Sequence, residues 1–432
     1  VKALTGIEVA TGAVQAAVRS VAVARHGEAD DVATQREVLR RLRRIVDHAF
    51  ENVPFYRERF ASVGYTKGSL RVSGDLAHLP ITTKAEIRDL PVEDLTSRTV
   101  PPKRRLPSIT SGASGEVLTV WHDARRLGEL GLAMLRVTRL VTPHRPWHRL
   151  LYVYTSRFPV ASVFGLYPMH FVPTTADPRQ IESEWQRIRP DVVWIYPSRL
   201  RDLILAGCDL PPAQLISVGS ELSTAQERLA WEAKLRSTVR DQYGTEELGL
   251  VAAECGHRNR HILSDLCHVE ILAPDGTAAR GGEVGDLIGT NLENLAMPFI
   301  RYRQGDRAAV AASACPCGRT LPVLDPIEGR ERIDLVGPTG ERVGSGVVID
   351  ALYGLVLELG LPVSGYRLVS GKQPTLLLSG PLSDGQAETA ANFIRSRTGL
   401  VVRPVLVSRL PDLGDGKREL VVPPAQSPTA RK

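Results

Sequence analysis

No stretch of this 432-residue chain is apolar over the ~20 residues that a membrane-spanning helix needs, so no membrane partner is expected. The segment Val1 to Arg25 is only mildly apolar and is interrupted by Arg19 and Arg25. It lacks the apolar core and small-residue cleavage site of a secretion signal, and a cytoplasmic protein is expected. Cysteine is scarce: Cys208, Cys255, Cys267, Cys315 and Cys317 make an odd number in a large chain. A disulfide framework is therefore not expected, and the thiols are left for metal binding or plain burial. Aromatics are also few, at 5%, and none interleaves with the cluster Arg40, Arg41, Arg43 and Arg44 as a single-strand binder requires. Those arginines lie opposite Leu39, Leu42, Ile45, Val46 and Ala49 at helical spacing, which makes them the solvated face of a helix. The net charge of +6 then implies no nucleic-acid partner.

What is present is ordinary globular material, 43% hydrophobic and 24% charged, enough for two or three domains and a large core. An amphipathic helix is predicted from Thr34 to about Phe60, broken near Pro54, and Thr83 and Glu86 have capping-box spacing. Strands are predicted at Leu106 to Thr110 and Val117 to His122, with a helix from Asp123 to about Leu140. Strands at 149–155, 191–196, 215–218 and 238–243 alternate with helices at 178–187, 198–206 and 223–235, the pattern of parallel α/β layers. Beyond Cys255 the strands 267–273, 283–291, 299–303 and 308–311 follow one another between Gly and Pro turns, which suggests a mostly β subdomain over 252–328. From about 332 to 432 a small α+β domain is expected, resembling a ferredoxin-like split βαβ unit. The fold class is thus α/β: a large N-terminal domain (1–331) of α/β layers with a β subdomain, and a small mobile C-terminal domain (332–432).

Five stretches carry chemistry. The loop Thr110-Ser111-Gly112-Ala113-Ser114-Gly115 offers backbone N–H groups and hydroxyls that can wrap phosphate oxygens, although a plain hairpin would read the same way. Tyr243-Gly244-Thr245-Glu246-Glu247 ends a strand on an aromatic ring and two carboxylates. That suits a flat ligand beside magnesium, or the acidic start of a helix. Asp306, after Gly305, can accept both hydroxyls of a ribose, or simply mark a strand end. Lys417 in Gly414-Asp415-Gly416-Lys417-Arg418 is an ammonium on a glycine loop, able to neutralise developing charge or to sit in a solvated turn. Cys255, His261, Cys315 and Cys317 can form a Cys₃His zinc site, with His257 as an alternative to His261.

Taken in order, these stretches resemble the adenylate-forming superfamily, in its phenylacetate–CoA ligase-like branch. The resemblance runs from about Asn52 to Val421. It rests on Asn52-Val53-Pro54-Phe55-Tyr56, Leu79-Pro80-Ile81-Thr82-Thr83-Lys84, Thr110 to Gly115, Gly219-Ser220-Glu221, Tyr243 to Glu247, Ala296 to Asp306, Cys315-Pro316-Cys317-Gly318-Arg319-Thr320, Gly329-Arg330 and Gly416-Lys417. It implies ATP- and magnesium-dependent joining of a carboxylate to AMP with release of pyrophosphate. A thiol or amine then displaces AMP. CoA as acceptor would make a carboxylate–CoA ligase; an amine or a carrier protein would make a different ligase, and loss of catalysis would leave a binding protein on the same fold. By resemblance Thr110 to Gly115 cradle phosphates, and Gly219, Ser220 and Glu221 line the adenine and acyl pocket. Tyr243, with Gly244 and Thr245, borders the adenine. Glu247 holds magnesium, Asp306 and Arg330 hold the ribose, and Lys417 bridges carboxylate and α-phosphate before the small domain turns about a hinge near Arg332 to Asp334. Tyr152 to Gly165, Tyr196 to Ser198 and Val218 to Glu221 are expected around the acyl group, and Phe158, Phe164 and Tyr167 hint at an aromatic or medium apolar acid. A homodimer is compatible with this reading. Three positions depart from the family pattern: Ala113 lacks a hydroxyl, and Glu116 and Glu246 bring acids near the phosphate and adenine segments. A fourth, Ser220, replaces the second glycine of Gly-Gly-Glu.

Overall fold

The computed structural model describes residues 31–109, 118–123, 134, 136–143, 145–155, 162, 165–330, 335–337, 340, 343, 345–411 and 420–422. The chain opens with helix α1 (Asp31–Asn52) and α2 (Pro54–Ser62). Val53 between them is extended and Pro54 begins the second helix, since proline has no N–H for the preceding turn to use but fits a first helical position. Helix α1 buries Val38, Leu42, Ile45, Val46 and Ala49 and turns Arg40 and Arg44 outward, while Arg41 and Arg43 of the expected solvated face are half-buried. The half-buried Arg41 pairs with Glu293 at 2.5 Å. A two-residue strand β1 (Thr82–Thr83) follows, then the antiparallel hairpin of β2 (Arg105–Ile109) and β3 (Thr119–Asp123).

Next come β4 (Leu150–Tyr154), β5 (Met169–Pro173), α3 (Pro178–Ile188), β6 (Val192–Ile195), α4 (Pro197–Leu205), β7 (Leu215–Gly219), α5 (Ala225–Leu235) and β8 (Thr238–Thr245). Strands β9 (Gly249–Glu254), β10 (Arg260–Ile262), β11 (Cys267–Leu272), β12 (Gly285–Asn291), β13 (Tyr302–Val310) and β14 (Leu324–Arg330) continue. The chain closes with α6 (Ser345–Leu357), β15 (Gly365–Val369), β16 (Thr375–Ser379), α7 (Asp384–Thr398), β17 (Arg403–Leu406) and β18 (Val421–Val422).

Two compact units result. The first comprises Val1–His144, Pro159–Phe164 and Gln242–Ile327; the second comprises Arg145–Phe158, Gly165–Asp241 and Glu328–Lys432. In the second unit β7, β6, β4 and β5 lie side by side and parallel. Every residue of β6 is buried, as a parallel strand covered by helices on both faces must be. Trp185 of α3 and Trp231 of α5 fill that core with Leu151, Ile195, Leu200 and Ile216. The C-terminal α+β segment packs Val348, Leu352 and Leu355 of α6 against Leu368, Leu376, Leu378 and Ile394. Its sheet order is β17-β16-β15-β18. Helix α7 carries the chain from β16 directly to a parallel neighbour, so this βαβ unit is contiguous where a split one was expected. The expected hinge, Arg332 to Asp334, lies outside the described residues.

In the first unit the sheet order is β1-β13-β12-β11, with β14 also on β13. Where the sequence suggested two strands, 299–303 and 308–311, there is one, β13. Gly305 (φ +92°) allows the strand to bulge rather than stop. Among the described residues no helix is long and apolar enough to cross a membrane.

Candidate functional site

The antiparallel pair β8 and β9 is joined by a three-residue turn, Glu246 to Leu248. The register shifts between Tyr243 and Gly244, and there the backbones close in. A Cβ on Gly244 would lie 2.5 Å from the Gly249 carbonyl oxygen, so only glycine fits after the tyrosine. The two glutamates are therefore in a hairpin turn, not at the start of a helix. The turn points them apart: Glu246 is exposed and Glu247 is buried. The Thr245 hydroxyl accepts from the Leu248 N–H at 3.1 Å. Asn291 Nδ2 donates to the carbonyls of Glu247 and Leu248, at 3.3 and 2.8 Å. Tyr302, wholly buried, donates its hydroxyl to Glu247 Oε1 at 3.2 Å.

The bulge of β13 brings the second carboxylate to the same place. Across it Asp286 pairs with Arg307 and Ile288 with Arg303, so the segment Gln304 to Asp306 faces a single residue of β12. Asp306 is buried, and its Oδ2 accepts from the Tyr243 hydroxyl at 2.6 Å. The residue expected beside adenine and the residue expected to hold ribose are thus directly bonded. Gln304 Nε2 donates to Asp306 Oδ2 at 3.0 Å and to the Tyr243 hydroxyl. No sequence argument singled out Gln304; its signal was its place two residues before Asp306, on the same side of a strand.

Arg301 was also missed. It holds a left-handed conformation (φ +45°), and its guanidinium grips both oxygens of Glu270, at 3.1 and 2.9 Å, and the carbonyls of Ala77 and Leu79. Burial raises the Glu270 carboxyl above its ordinary value, against the pull of Arg301. The clamp fixes the strand start from which Tyr302 reaches Glu247. Arg330 closes β14, and its side chain lies outside the described residues.

In the second unit β7 ends at buried Gly219, followed by exposed Ser220 and half-buried Glu221. Ser220 has φ +68°, which explains why the family pattern carries glycine there. Glu221 accepts from the N–H and hydroxyl of Ser198, at 2.8 and 2.9 Å, and so caps the first turn of α4. Just before Ser198, Tyr196 meets Tyr154 edge to face at 4.5 Å, and Tyr154 stacks on Tyr152 at 4.2 Å.

Cys255 follows β9, His261 is the middle of β10, and Cys315 and Cys317 lie in the turn after β13. Their ligand atoms all fall within 4.8 Å of one another. Cys255 and Cys315 sulfurs are 3.8 Å apart, and Cys317 Sγ is 3.2 Å from His261 Nε2. A tetrahedral zinc with bonds of about 2.3 Å separates its sulfurs by roughly 3.8 Å, so the donor set fits a soft metal. His261 Nδ1 lies 2.9 Å from the Leu321 carbonyl. A carbonyl can only accept, so Nδ1 carries the proton and Nε2 keeps its lone pair. Burial works against ionisation of Cys317, but hydrogen bonds from the Arg319 backbone, Cys315 and the Arg319 side chain hold its thiol at about 6. Burial pushes the Cys267 thiol up to about 12, with only a backbone hydrogen bond at Thr290 to oppose it, and it is a core thiol apart from this cluster. Gly318 (φ +79°) lets the Cys-Pro-Cys turn close, with its N–H on the Cys315 carbonyl at 3.2 Å.

Thr110, Ser111, Gly112, Ser114, Gly115 and Lys417 lie outside the described residues, as do Ala113, Glu116, Phe158 and Phe164. The flanking strands are described: Ile109 stands opposite Thr119.

No family model matches the chain. It is 29% identical over 311 residues to the phenylacetate-coenzyme A ligase of Escherichia coli (strain K12), covering 67% of this chain and 69% of that enzyme. It is 28% identical over 310 residues to the phenylacetate-coenzyme A ligase of Thermus thermophilus, covering 67% and 68%. Among solved structures, 2-hydroxyisobutyryl-CoA ligase in the postadenylation state superposes with a TM-score of 0.76 at 19% identity, over 92% of this chain and 91% of that one. The relatives and the solved neighbour match the adenylate-forming resemblance read from the sequence, in its phenylacetate–coenzyme A ligase-like branch.

Proposed function

We propose that this enzyme activates a carboxylic acid with ATP and passes the acyl group to CoA. One observation carries the assignment of the nucleotide site: Tyr243, Asp306 and Glu247 meet at one hairpin turn and one strand bulge, with Tyr243 bonded to Asp306 at 2.6 Å. In the first half-reaction a carboxylate oxygen attacks the α-phosphorus. The bond to the bridging oxygen of the β-phosphate breaks, and pyrophosphate leaves with that electron pair. In the second the CoA sulfur, having lost its proton, attacks the acyl carbon and AMP departs.

Each residue then has a task. Tyr243 borders the adenine, and Asp306 and Arg330 take the ribose hydroxyls. Thr110 to Gly115 surround the phosphates. Glu247, oriented by Tyr302, is the carboxylate for magnesium, which when bound would offset the charge of the triphosphate. Lys417 offsets the repulsion between two anions as they approach. It stands on the C-terminal segment 332–432, and rotation of that segment about Arg332 to Asp334 would withdraw it before the thiol arrives. Ser220 and Glu221, with Tyr196 to Ser198, border the acyl group. The aromatic run Tyr152, Tyr154 and Tyr196 supports an aromatic or medium apolar acid. The Cys₃His cluster suits a structural zinc, because it leaves no ligand position open.

The test is pyrophosphate release across a panel of aromatic, aliphatic and hydroxy acids, followed by acceptor trials with CoA and amines. Thioester formation on the best acids is expected. Adenylation of several acids with no thioester from any of them would overturn the CoA assignment.

A further inference from the structure

Between β12 and β13 the chain makes a buried loop, residues 291–299, closed at its neck by the Asn291 N–H on the Phe299 carbonyl at 2.9 Å. Leu292, Asn294, Ala296, Met297 and Phe299 are all buried. Two asparagines hold the loop from within. Asn291 Oδ1 accepts from the N–H groups of Glu293 and Asn294, each at 2.9 Å, and Asn294 Oδ1 accepts from those of Ala296 and Met297, at 3.2 and 3.4 Å. With the oxygens turned inward, both amide nitrogens must turn outward. Turning either amide over would set its oxygen against a carbonyl oxygen. Asn291 Nδ2 reaches the carbonyls of Glu247 and Leu248 in the β8–β9 turn. Asn294 Nδ2 reaches the Trp121 carbonyl of β3 at 3.0 Å. Opposite Trp121 in the β2–β3 pair stands Pro107, which has no N–H to give, so the donor for that carbonyl comes from outside the pair.

One loop thus bonds on one side to the turn that carries Glu247, and on the other to the strand that follows Thr110 to Gly115 in the chain. Asn291 and Asn294 are 1% and 0% exposed, so neither touches a ligand; what they set is spacing. The loop is itself tied down: Glu293 pairs with Arg41 of α1 at 2.5 Å, and the Ala296 carbonyl accepts from the Ser97 N–H at 2.8 Å. A magnesium triphosphate held by a carboxylate on one side and by backbone N–H groups on the other tolerates little error in the distance between them. We infer that Asn291 and Asn294 are positioning residues for the first half-reaction: through this loop they fix the Glu247 carboxylate against β3, and so against the phosphate stretch. This rests on the reading of Glu247 as the magnesium carboxylate and of Thr110 to Gly115 as the phosphate stretch.

The test is calorimetric binding of AMP, and of ATP with magnesium, to the full chain and to Asn294→Ser, whose hydroxyl can still accept from the loop N–H groups but is too short to reach Trp121. AMP has no β- or γ-phosphate, so its affinity should stay within about twofold, while magnesium ATP should bind about tenfold more weakly. Asn291→Ser should do the same by freeing the Glu247 turn. The double variant should cost no more than the larger single loss, because a spacing cut at one end is already lost. Affinities for AMP and magnesium ATP that fall together, or that both hold in a folded Asn294→Ser, would overturn the inference. So would single losses that add in the double variant. Failure of both single variants to fold would make the loop structural only and overturn it too; if one folds, its two affinities decide. Glu247→Gln separates the two levels. Magnesium ATP bound as tightly by Glu247→Gln as by the unsubstituted protein would overturn the magnesium reading itself. Weaker binding there, with no change in the folded asparagine variants, would overturn only the role of the loop.

Discussion

One hairpin serves two unlike ends. At its turn β8 and β9 present oxygen: Glu247, the Tyr243 hydroxyl, and Asp306 from the neighbouring bulge. At its other end they lead to sulfur and imidazole: Cys255, His261, Cys315 and Cys317. The oxygen end orients Glu247 with one phenol and holds its backbone with one asparagine. The sulfur end packs four ligand atoms within 4.8 Å and supplies an outer hydrogen bond to the histidine. An exchanging metal and a polyphosphate need a site with ligand positions to spare, and a bracing metal needs a closed one. On the proposed reading the same two strands would serve both, since the turn is tight and polar while the distal knuckle is buried with Val323.

If that division is right, substitutions at the oxygen end should change chemistry and leave folding intact, and those at the sulfur end should do the reverse. The largest effect is expected from Lys417→Ala, which should slow adenylate formation on the order of 1,000-fold while ATP still binds, measured by pyrophosphate release and calorimetry. Unchanged adenylation would remove the lysine from the reaction. Glu247→Gln should cost about 100-fold in pyrophosphate release and raise the magnesium needed for half-maximal rate, with Tm unmoved. A large fall in Tm instead would make Glu247 structural and erase the contrast. Cys255→Ser should lower metal content by atomic emission and lower Tm by about 10 °C, with ATP affinity of the folded fraction retained. Gly244→Ala stands outside that division, since it removes no oxygen and its methyl meets the Gly249 carbonyl; it should destabilise by about 2 kcal/mol in denaturant titration. Glu246→Gln should change kcat/KM less than about twofold, as an exposed surface substitution does.

The stretch from Arg240 to Cys255 shows what could be read from residues alone. The strand through Tyr243 was visible, because an apolar and polar run there leads into a glycine; the need for that glycine was not, since only the approach of β9 shows it. The separation of the glutamates was visible only through the resemblance, since spacing allowed a helix start as readily as a hairpin. The structure gives the physical cause, a three-residue turn that buries one acid and exposes the next. Strand β5, Met-His-Phe-Val-Pro, went unseen because its short run carries a histidine and a proline and shows no alternation. Strand β13 was split in two because glycine followed by aspartate reads as a stop, and only the partner strand reveals a bulge. Arg301 and Gln304 were invisible for a related reason. Their partners, Glu270, Ala77, Leu79 and Tyr243, are distant in sequence and are assembled only by the sheet.

The bonds from Glu221 to Ser198 bear on redesign of the proposed acyl pocket. The loop after β7 and the first turn of α4 share one carboxylate, so they cannot be varied as independent positions. A library that randomises Glu221 alone would uncap the helix that carries Tyr196 to Ser198 to its place, and would sample misplaced pockets more than altered ones. Paired randomisation of positions 198 and 221, restricted to combinations that preserve a donor and an acceptor, searches shape while keeping the helix anchored. Ser220, already in a left-handed conformation, offers a glycine substitution as a stabilising background for such a search.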